Sequence, residues 1–208
     1  MSEENVLQEK HGKNSSPFLD FAHFKTALIL LLITGVVAVL LGVTNGMTKE
    51  KIAAIAAEKA DAARKAVLPT ASVFTDLEYT SDNVLSIYEA RDGSGALVGF
   101  AVETGAQGFG GTVEQIVGLR VTGANGAYSL TVSGVSLLDI SDETPGVGSR
   151  VSSSGFPKQF EGMTAASLAE SFDAVSGATY SSEGVRAGVE AALDLAGRII
   201  QNSGGIAK

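Results

Sequence analysis

The chain has no cysteine and only two histidines, His11 and His23. Without cysteine it cannot form a disulfide, hold an iron–sulfur cluster through thiolates or attach a c-type haem. Both histidines lie near the N-terminus, so the rest of the chain offers no imidazole for metal binding, general-base catalysis or a Ser-His-Asp triad. We therefore predict no metal site and no catalytic side chain, and any redox chemistry would have to come from an organic cofactor.

Basic residues are in the minority, and the common nucleotide-binding motifs are absent. The sequence has 15 Lys and Arg against 23 Asp and Glu, a net charge of −8, which argues against nucleic-acid binding. The glycine-rich segment Gly105-Ala-Gln-Gly-Phe-Gly-Gly111 is not a dinucleotide-binding fingerprint, because the third glycine would fall at residue 113, which is Val113. The sequence contains no P-loop either.

Charged residues are absent altogether from residues 26–48. Residues 27–43 are almost wholly apolar, and a membrane-spanning helix needs about 20 such residues. Lys25 and Lys49 stand at the two ends, where their ammonium groups can reach the membrane interfaces. These features predict a transmembrane helix over residues 25–47. The alternative is a cleaved signal peptide; the apolar run is long for one, but the alanine-rich residues 53–57 offer a candidate processing site.

The basic residues on either side of this segment do not decide its orientation. Three lysines precede it and five basic residues follow it closely, a count that would place the large C-terminal part in the cytoplasm. This bias is weak when a long domain follows, because long domains cross the membrane largely regardless of charge. The residues alone therefore leave the orientation open.

The remaining sequence divides into a polar tail, a helical segment and a β-rich domain. Residues 1–24 are polar and mixed in charge and are interpreted as the tail. Residues 48–70, rich in Ala, Lys and Glu, predict a helical stalk that ends near Pro69. Residues 71–204 predict an antiparallel sheet with flanking helices, so the fold class is α+β. Runs rich in β-branched and aromatic residues predict five strands, at residues 72–80, 84–90, 96–104, 112–121 and 127–138.

Turn signals arrange these strands. Asp92-Gly93 and Asn125-Gly126 are typical of hairpin turns, so the second and third strands and the fourth and fifth strands form two hairpins. The glycine-rich residues 105–111 are interpreted as the loop between the hairpins. Phe156 and Phe160, four residues apart, predict a short helix packed on the core.

The segment from Asp173 to Ser182 combines small and hydroxyl residues immediately before a last predicted helix, residues 181–201. The N–H groups of a helix's first turn have no partner within the helix, and the helix dipole adds about half a positive charge, so an anion is favoured there. Gly177 and Ala178 would let a ligand approach the backbone closely. On local chemistry alone, an ordinary capped turn remains the simpler explanation.

Three separated segments resemble motifs of one family, the FMN-binding subunits of the Rnf and Nqr membrane complexes. The Ser-Gly-Ala-Thr-Tyr-Ser-Ser string at residues 176–182 is similar to that family's covalent flavin attachment motif. The Glu-Thr-Pro-Gly-Val-Gly string at residues 143–148 is similar to its Glu-Thr-Pro-Gly-Leu-Gly motif, with Val147 in place of Leu and no histidine at Ser141-Asp142, where some members have one. The Gly-Phe-Gly-Gly loop looks like its Gly-Tyr/Phe-x-Gly segment.

The chain is identified as a member of the G-type subunit family of Rnf-type ion-translocating ferredoxin:NAD oxidoreductases, because the related C-type subunit of Nqr complexes is usually longer. The resemblance implies FMN linked covalently, through a phosphoester, to Thr179. Pro145-Gly146 itself predicts a tight turn with positive φ at Gly146, and the resemblance places that turn against the flavin ring. The further cofactor-binding residues that the resemblance implies are Ser176, Gly177, Ala178, Ser182, Glu143, Thr144, Gly146 and Val147.

The implied function is an electron relay within a membrane-bound, redox-driven ion translocase. The implied partners are the other subunits of the complex, the membrane and a flavin transferase that installs FMN. The implied location is the inner or plasma membrane, with one span, a short cytoplasmic tail and an extracytoplasmic flavin domain, opposite to the count of basic residues. The alternative function is a membrane-anchored extracytoplasmic subunit without flavin, with a structural or ligand-binding role.

Overall fold

The computed structural model describes residues 21–79, 81–124, 127–153 and 155–202. Most of the predicted tail, including His11, and the predicted Asn125-Gly126 turn lie outside the described residues. The chain divides into two compact units, Met1–Ala53 and Ala54–Lys208.

The first unit contains the N-terminal part of a 47-residue helix, α1, Phe21–Val67. Within this unit its side chains from residue 24 onward are exposed on every side, and the stretch Phe24–Val67 includes an 18-residue window with a mean hydropathy of 2.8 and no buried residue. The hydroxyls of Thr34 and Thr44 donate to the carbonyls of Leu30 and Leu40, at 2.9 and 2.8 Å, so they find partners inside the helix. By length and composition, this helix can cross a membrane.

The helix α1 begins a few residues before the predicted transmembrane segment and ends close to the predicted end of the stalk. Residues 21–24, predicted from the sequence to belong to the tail, are helical and form the first turn of α1. The helix ends at Val67, two residues before Pro69, as expected from the restriction that proline imposes on the residue before it. The hydroxyl of Ser133 donates to the carbonyl of Val67, one of the last carbonyls of the helix, which have no N–H partner within it.

The second unit is built on one antiparallel sheet in which strands adjacent in sequence are adjacent in space. Residues 54–67 of α1 also belong to this unit. The strands are β1 Val73–Asp76, β2 Val84–Arg91, β3 Leu97–Gln107, β4 Thr112–Ala124 and β5 Ala127–Asp139. The helical elements that follow are α2 Arg150–Ser153, a 3₁₀ helix Phe156–Phe160, α3 Ala165–Glu170 and α4 Thr179–Asn202. The α+β class, the five strands and both hairpins are confirmed.

Alternation along the strands gives the sheet two buried faces. In β3, Phe100 and Val102 face the buried side of α4, whereas Ala101 faces the last turns of α1. The predicted stripe of α4, including Val185 and Val189, is fully buried against the first face. Phe156 and Phe160 are buried on the same side, with their rings edge to face at 5.5 Å. The sheet is therefore covered on both sides within this unit.

The two connections after β2 and β3 can be described in detail. In the turn after β2, the carboxylate of Asp92 accepts the N–H groups of Ser94 and Ala96, and the positive φ is at Gly95 (85°). The glycine-rich connector is shorter than residues 105–111. Residues 105–107 continue β3 and pair with residues 112–114 of β4, so only residues 108–111 form the loop.

Candidate functional site

The segment before α4 is held in one shape by its own hydroxyl and glycine residues. Gly177 has φ +79°, which suits glycine, and the N–H of Ala178 donates to the carbonyl of Val175 at 2.9 Å. The buried hydroxyl of Ser182 accepts the N–H of Val175 at 3.0 Å. Thr179 is consequently placed as the first residue of α4, with its side chain exposed.

The turn at residues 144–147 forms a second side of the site. Its N–H to carbonyl bond runs from Val147 to Thr144 at 3.1 Å, and Gly146 has φ +76°, as predicted for the residue after Pro145. The side chain of Val147 is 44% exposed. Arg150, just beyond the turn, donates to the carbonyl of Ser176 at 3.1 Å and so joins this segment to the one before α4.

The glycine loop, residues 108–111, forms the third side. The N–H of Gly108 donates to the carbonyl of Gly111 at 2.8 Å, which closes the loop. A Cβ on Gly110 would lie 2.0 Å from the carbonyl oxygen of Asp142, so glycine is required there for the two segments to touch. The loop holds the ring of Phe109 68% exposed.

These three sides enclose a cavity of about 280 Å³. Its lining residues are Phe109, Val147, Gly148, Gly177, Ala178, Thr179, Tyr180 and Ser181. The rings of Phe109 and Tyr180, both in the lining, lie 6.1 Å apart, and Tyr180 is 70% exposed. Small-molecule sites typically measure about 300–1,000 Å³, so this cavity would enclose a ring system and leave the remainder of a larger ligand outside.

The cavity brings together only part of the predicted site. Thr179, Gly177, Ala178 and Val147 line it. Ser176, Thr144 and Gly146 are exposed beside it and do not line it. Glu143 and Ser182 are buried and lie outside the lining. The predicted residues belong to two of the three segments around this cavity, but the sequence does not indicate which side chain in each segment faces it.

Four lining residues are absent from the sequence-based set: Phe109, Gly148, Tyr180 and Ser181. All four lie within the motifs described above or next to a predicted residue. The sequence does contain a signal for Phe109: a large apolar residue in a loop of glycines has little around it to bury its ring, so it is a candidate for ligand contact. The sequence contains no such signal for Tyr180 and Ser181, because the directions of their side chains depend on where α4 begins.

The sheet end next to the glycine loop is acidic. Glu114 of β4 is paired with Asp139 of β5. Burial raises the pKa of Glu114, and the carboxylates of Asp139, Glu103 and Asp142 raise it further. Hydrogen bonds from Ser141 hold the pKa of Asp139 below its usual range.

Comparisons with known proteins agree with this geometry. The model of the FMN-binding domain family matches residues 108–194, a range that contains every residue lining the cavity. A protein of Methanosarcina acetivorans, named as the G subunit of an ion-translocating oxidoreductase complex, is 30% identical over 180 residues, which cover 82% of this chain and 92% of that protein. The G subunit of the Na(+)-translocating ferredoxin:NAD(+) oxidoreductase complex of Acetobacterium woodii is 27% identical over 197 residues, covering 83% and 90%.

Proposed function

The chain belongs to the G-type subunit family of ion-translocating oxidoreductase complexes, and we propose that it carries FMN covalently on Thr179 and relays electrons within such a complex. Its domain is an FMN-binding domain, and α1 makes it a membrane-anchored subunit of a redox-driven translocase. The covalent bond would be a phosphoester between the Thr179 hydroxyl and the phosphate of FMN. The other subunits of the complex are its partners.

The observation that carries this proposal is the position of Thr179. Its side chain is exposed, stands on the wall of the cavity and belongs to the first turn of a 24-residue helix. The N–H groups of Thr179, Tyr180 and Ser181 begin the helix and have no carbonyl partner one turn earlier within it. A phosphate bound to Thr179 would meet these donors and the positive end of the helix dipole.

The lining residues fit the rest of the cofactor. Gly177 and Ala178 offer almost no side chain, so the phosphate and sugar can pass close to the backbone. Phe109, Tyr180 and Val147 offer apolar surface to an aromatic ring system. FMN, when bound, supplies the capacity to accept and pass on electrons, while the protein sets its position and surroundings. Phe109 and Tyr180 are also largely exposed, so a redox partner would reach the flavin most easily beside these two rings.

Thr179 is, in this proposal, the site of modification and not a nucleophile that acts unaided. A hydroxyl is a weak nucleophile unless a neighbouring base takes its proton. Both oxygens of the nearby buried carboxylate, Glu143, already accept hydrogen bonds from Phe109 and Ser181. A separate flavin transferase would therefore install the cofactor, with net loss of one water between FMN and the threonine.

We place the flavin domain outside the cytoplasm, with the tail inside. The support is the family resemblance and the weakness of the basic-residue count before a long domain. A covalent bond is physically useful there, because a cofactor lost outside the cytoplasm is not easily replaced.

The test is flavin fluorescence that survives denaturing electrophoresis. The full chain is produced in a host that contains a flavin transferase, as wild type, Thr179→Ala and Thr179→Ser. Thr75→Ala, an exposed threonine on β1, is the matched control. We expect a fluorescent band for wild type and Thr75→Ala and none for Thr179→Ala. The wild-type mass should exceed the sequence mass by FMN less one water.

Two results would overturn the proposal. A fluorescent band from Thr179→Ala would mean that another residue carries the flavin. A wild-type chain with neither band nor added mass, beside a transferase shown to be active on another substrate, would mean that the flavin is not covalent. The Thr179→Ser variant keeps a hydroxyl and reports whether the transferase distinguishes the two side chains.

A further inference from the structure

Glu143 lies behind the cavity and contacts two of its sides. Its side chain is 2% exposed. One carboxylate oxygen, Oε1, accepts the N–H of Phe109 in the glycine loop at 2.9 Å. The other, Oε2, accepts the hydroxyl of Ser181 in α4 at 2.7 Å. Since Glu143 itself begins the turn of residues 143–148, one side chain joins all three segments that form the cavity.

Two glycines leave the space that this carboxylate fills. A Cβ on Gly108 would lie 2.0 Å from Oε1, and a Cβ on Gly148 would lie 2.2 Å from Oε2. Gly108 belongs to the glycine loop and Gly148 to the end of the turn, so each of these segments has a glycine where the Glu143 side chain passes. Backbone conformation does not require glycine at either position, because neither residue has a positive φ.

A direct contact between Glu143 and a ligand in the cavity does not fit these observations. The residue does not line the cavity, and both of its oxygens are engaged by protein donors. An ionised carboxylate is an acceptor only, and the two donors that meet Glu143, the N–H of Phe109 and the hydroxyl of Ser181, suit such a group. Hydrogen bonds to a charged group are stronger than neutral ones, so removing this acceptor should release both donors.

We propose that Glu143 is a positioning residue that assembles the flavin cavity and places a fixed negative charge behind its wall. The second part of this inference, the effect of the charge on the flavin, rests on the proposed function. The charge lies directly behind Ser181, which lines the cavity, and is shielded from water. A buried charge acts more strongly on its neighbours than an exposed one. Glu143 would thus disfavour the added negative charge of a reduced flavin and lower its midpoint potential.

The first test needs no flavin. Amide hydrogen exchange is measured on the full chain in detergent as wild type, Glu143→Ala, Glu143→Gln and Asp142→Asn, where Asp142 is the exposed neighbour. In Glu143→Ala we expect exchange at the bonded amides of residues 107–109 and 182–185 to become about tenfold faster or more, because both segments lose their shared acceptor. The glutamine of Glu143→Gln has the same shape as glutamate and offers one acceptor and one donor. Its exchange rates should therefore stay close to those of wild type, as should those of Asp142→Asn.

The second test measures the flavin's midpoint potential in flavin-loaded chains. Glu143→Gln should raise the midpoint above that of wild type, and Asp142→Asn should raise it less because water screens an exposed charge. Unchanged exchange at both segments in a folded Glu143→Ala chain would overturn the assembling role. An equal midpoint in Glu143→Gln and wild type would overturn the electrostatic role. Absence of covalent flavin from all variants would instead count against the proposed attachment and leave the exchange result standing.

Discussion

Two hydroxyl residues three positions apart, Thr179 and Ser182, have different environments in the same motif. Thr179 is exposed at the start of α4, whereas Ser182 is buried and accepts the N–H of Val175. The resemblance implies that both bind the cofactor. The structure gives Ser182 a different task, which is to fix the loop so that Thr179 begins the helix. A hydroxyl that fixes the loop and one proposed to carry a cofactor look alike in sequence, because both lie beside a helix start.

The acidic residues at one end of the sheet predict that the stability of the fold depends on pH. The pKa of Glu114 is raised in the folded chain above its ordinary value of 4.5, first by burial and then by its acidic neighbours. The folded chain therefore holds the proton more tightly than the unfolded chain. The contribution of Glu114 to stability is greatest below pH 4.5 and falls as the pH rises through the folded-state pKa.

We accordingly expect Glu114→Gln to be more stable than wild type at pH 7, by less than about 1 kcal/mol because Glu114 is half-exposed and screened. Below pH 4.5 the two chains should be equally stable. Thermal unfolding of the full chain in detergent across this range measures the difference. The same change at the exposed Glu170 is the control. A Glu114→Gln chain less stable than wild type at neutral pH contradicts the assignment.

At the scale of elements, α4 packs closely against the sheet. Gly188 lies on its buried face, where a Cβ would stand 2.1 Å from Nε2 of Gln115 and 2.6 Å from Oγ1 of Thr104. Both of those side chains are fully buried, and Nε2 of Gln115 donates to the carbonyl of Val185 at 2.8 Å. The helix can approach the strands this closely only because residue 188 has no side chain.

Gly188→Ala is therefore expected to destabilise the domain by about 1–3 kcal/mol, the usual cost of overpacking. Gly197→Ala, on the same helix, is the matched control, since nothing lies within 4 Å of its added Cβ. That change should be neutral or stabilising by up to about 1 kcal/mol through helix propensity alone. Denaturant unfolding of both variants gives the comparison. A Gly188→Ala chain as stable as Gly197→Ala would show that α4 can move away from the strands without loss.

Elements were predictable from the sequence to the extent that periodicity and turn residues define them. The five strands, the long α1 and the apolar stripe of α4 each depend on local pattern, and the sequence predicts them. Gly105 belongs to a loop by composition, yet it pairs with Glu114, because pairing is decided by the neighbouring strand. The three segments of the site are recognisable as motifs. The inward orientation of Glu143 and the outward orientation of Phe109 are not, because both depend on contacts between distant segments.

For the whole molecule, the absence of cysteine makes the proposed topology directly measurable. A single introduced cysteine has no native background in this chain. Ser72→Cys places a thiol at an exposed position at the start of the sheet, and Ser15→Cys places one in the predicted tail. We expect a membrane-impermeant maleimide, applied to cells with a permeabilised outer layer, to label Ser72→Cys and not Ser15→Cys.

Full permeabilisation should label both variants and serves as the control for reactivity. Labelling of Ser15→Cys alone before full permeabilisation would reverse the proposed orientation and place the flavin domain in the cytoplasm. The flavin attachment test is independent of this outcome, because it depends only on Thr179 and a transferase on the same side of the membrane.

The strand order has a consequence for when the site comes into existence. Each strand pairs with the one made just before it, so the sheet can grow as the chain is synthesised. By the end of residue 148 the glycine loop and the turn have been made, but Thr179 and the donor of Ser181 have not. The start of α4 then closes a cavity whose other two sides are already present. If FMN is attached to Thr179 as proposed, the order of synthesis sets the time of attachment, because a chain interrupted before α4 lacks the proposed acceptor residue.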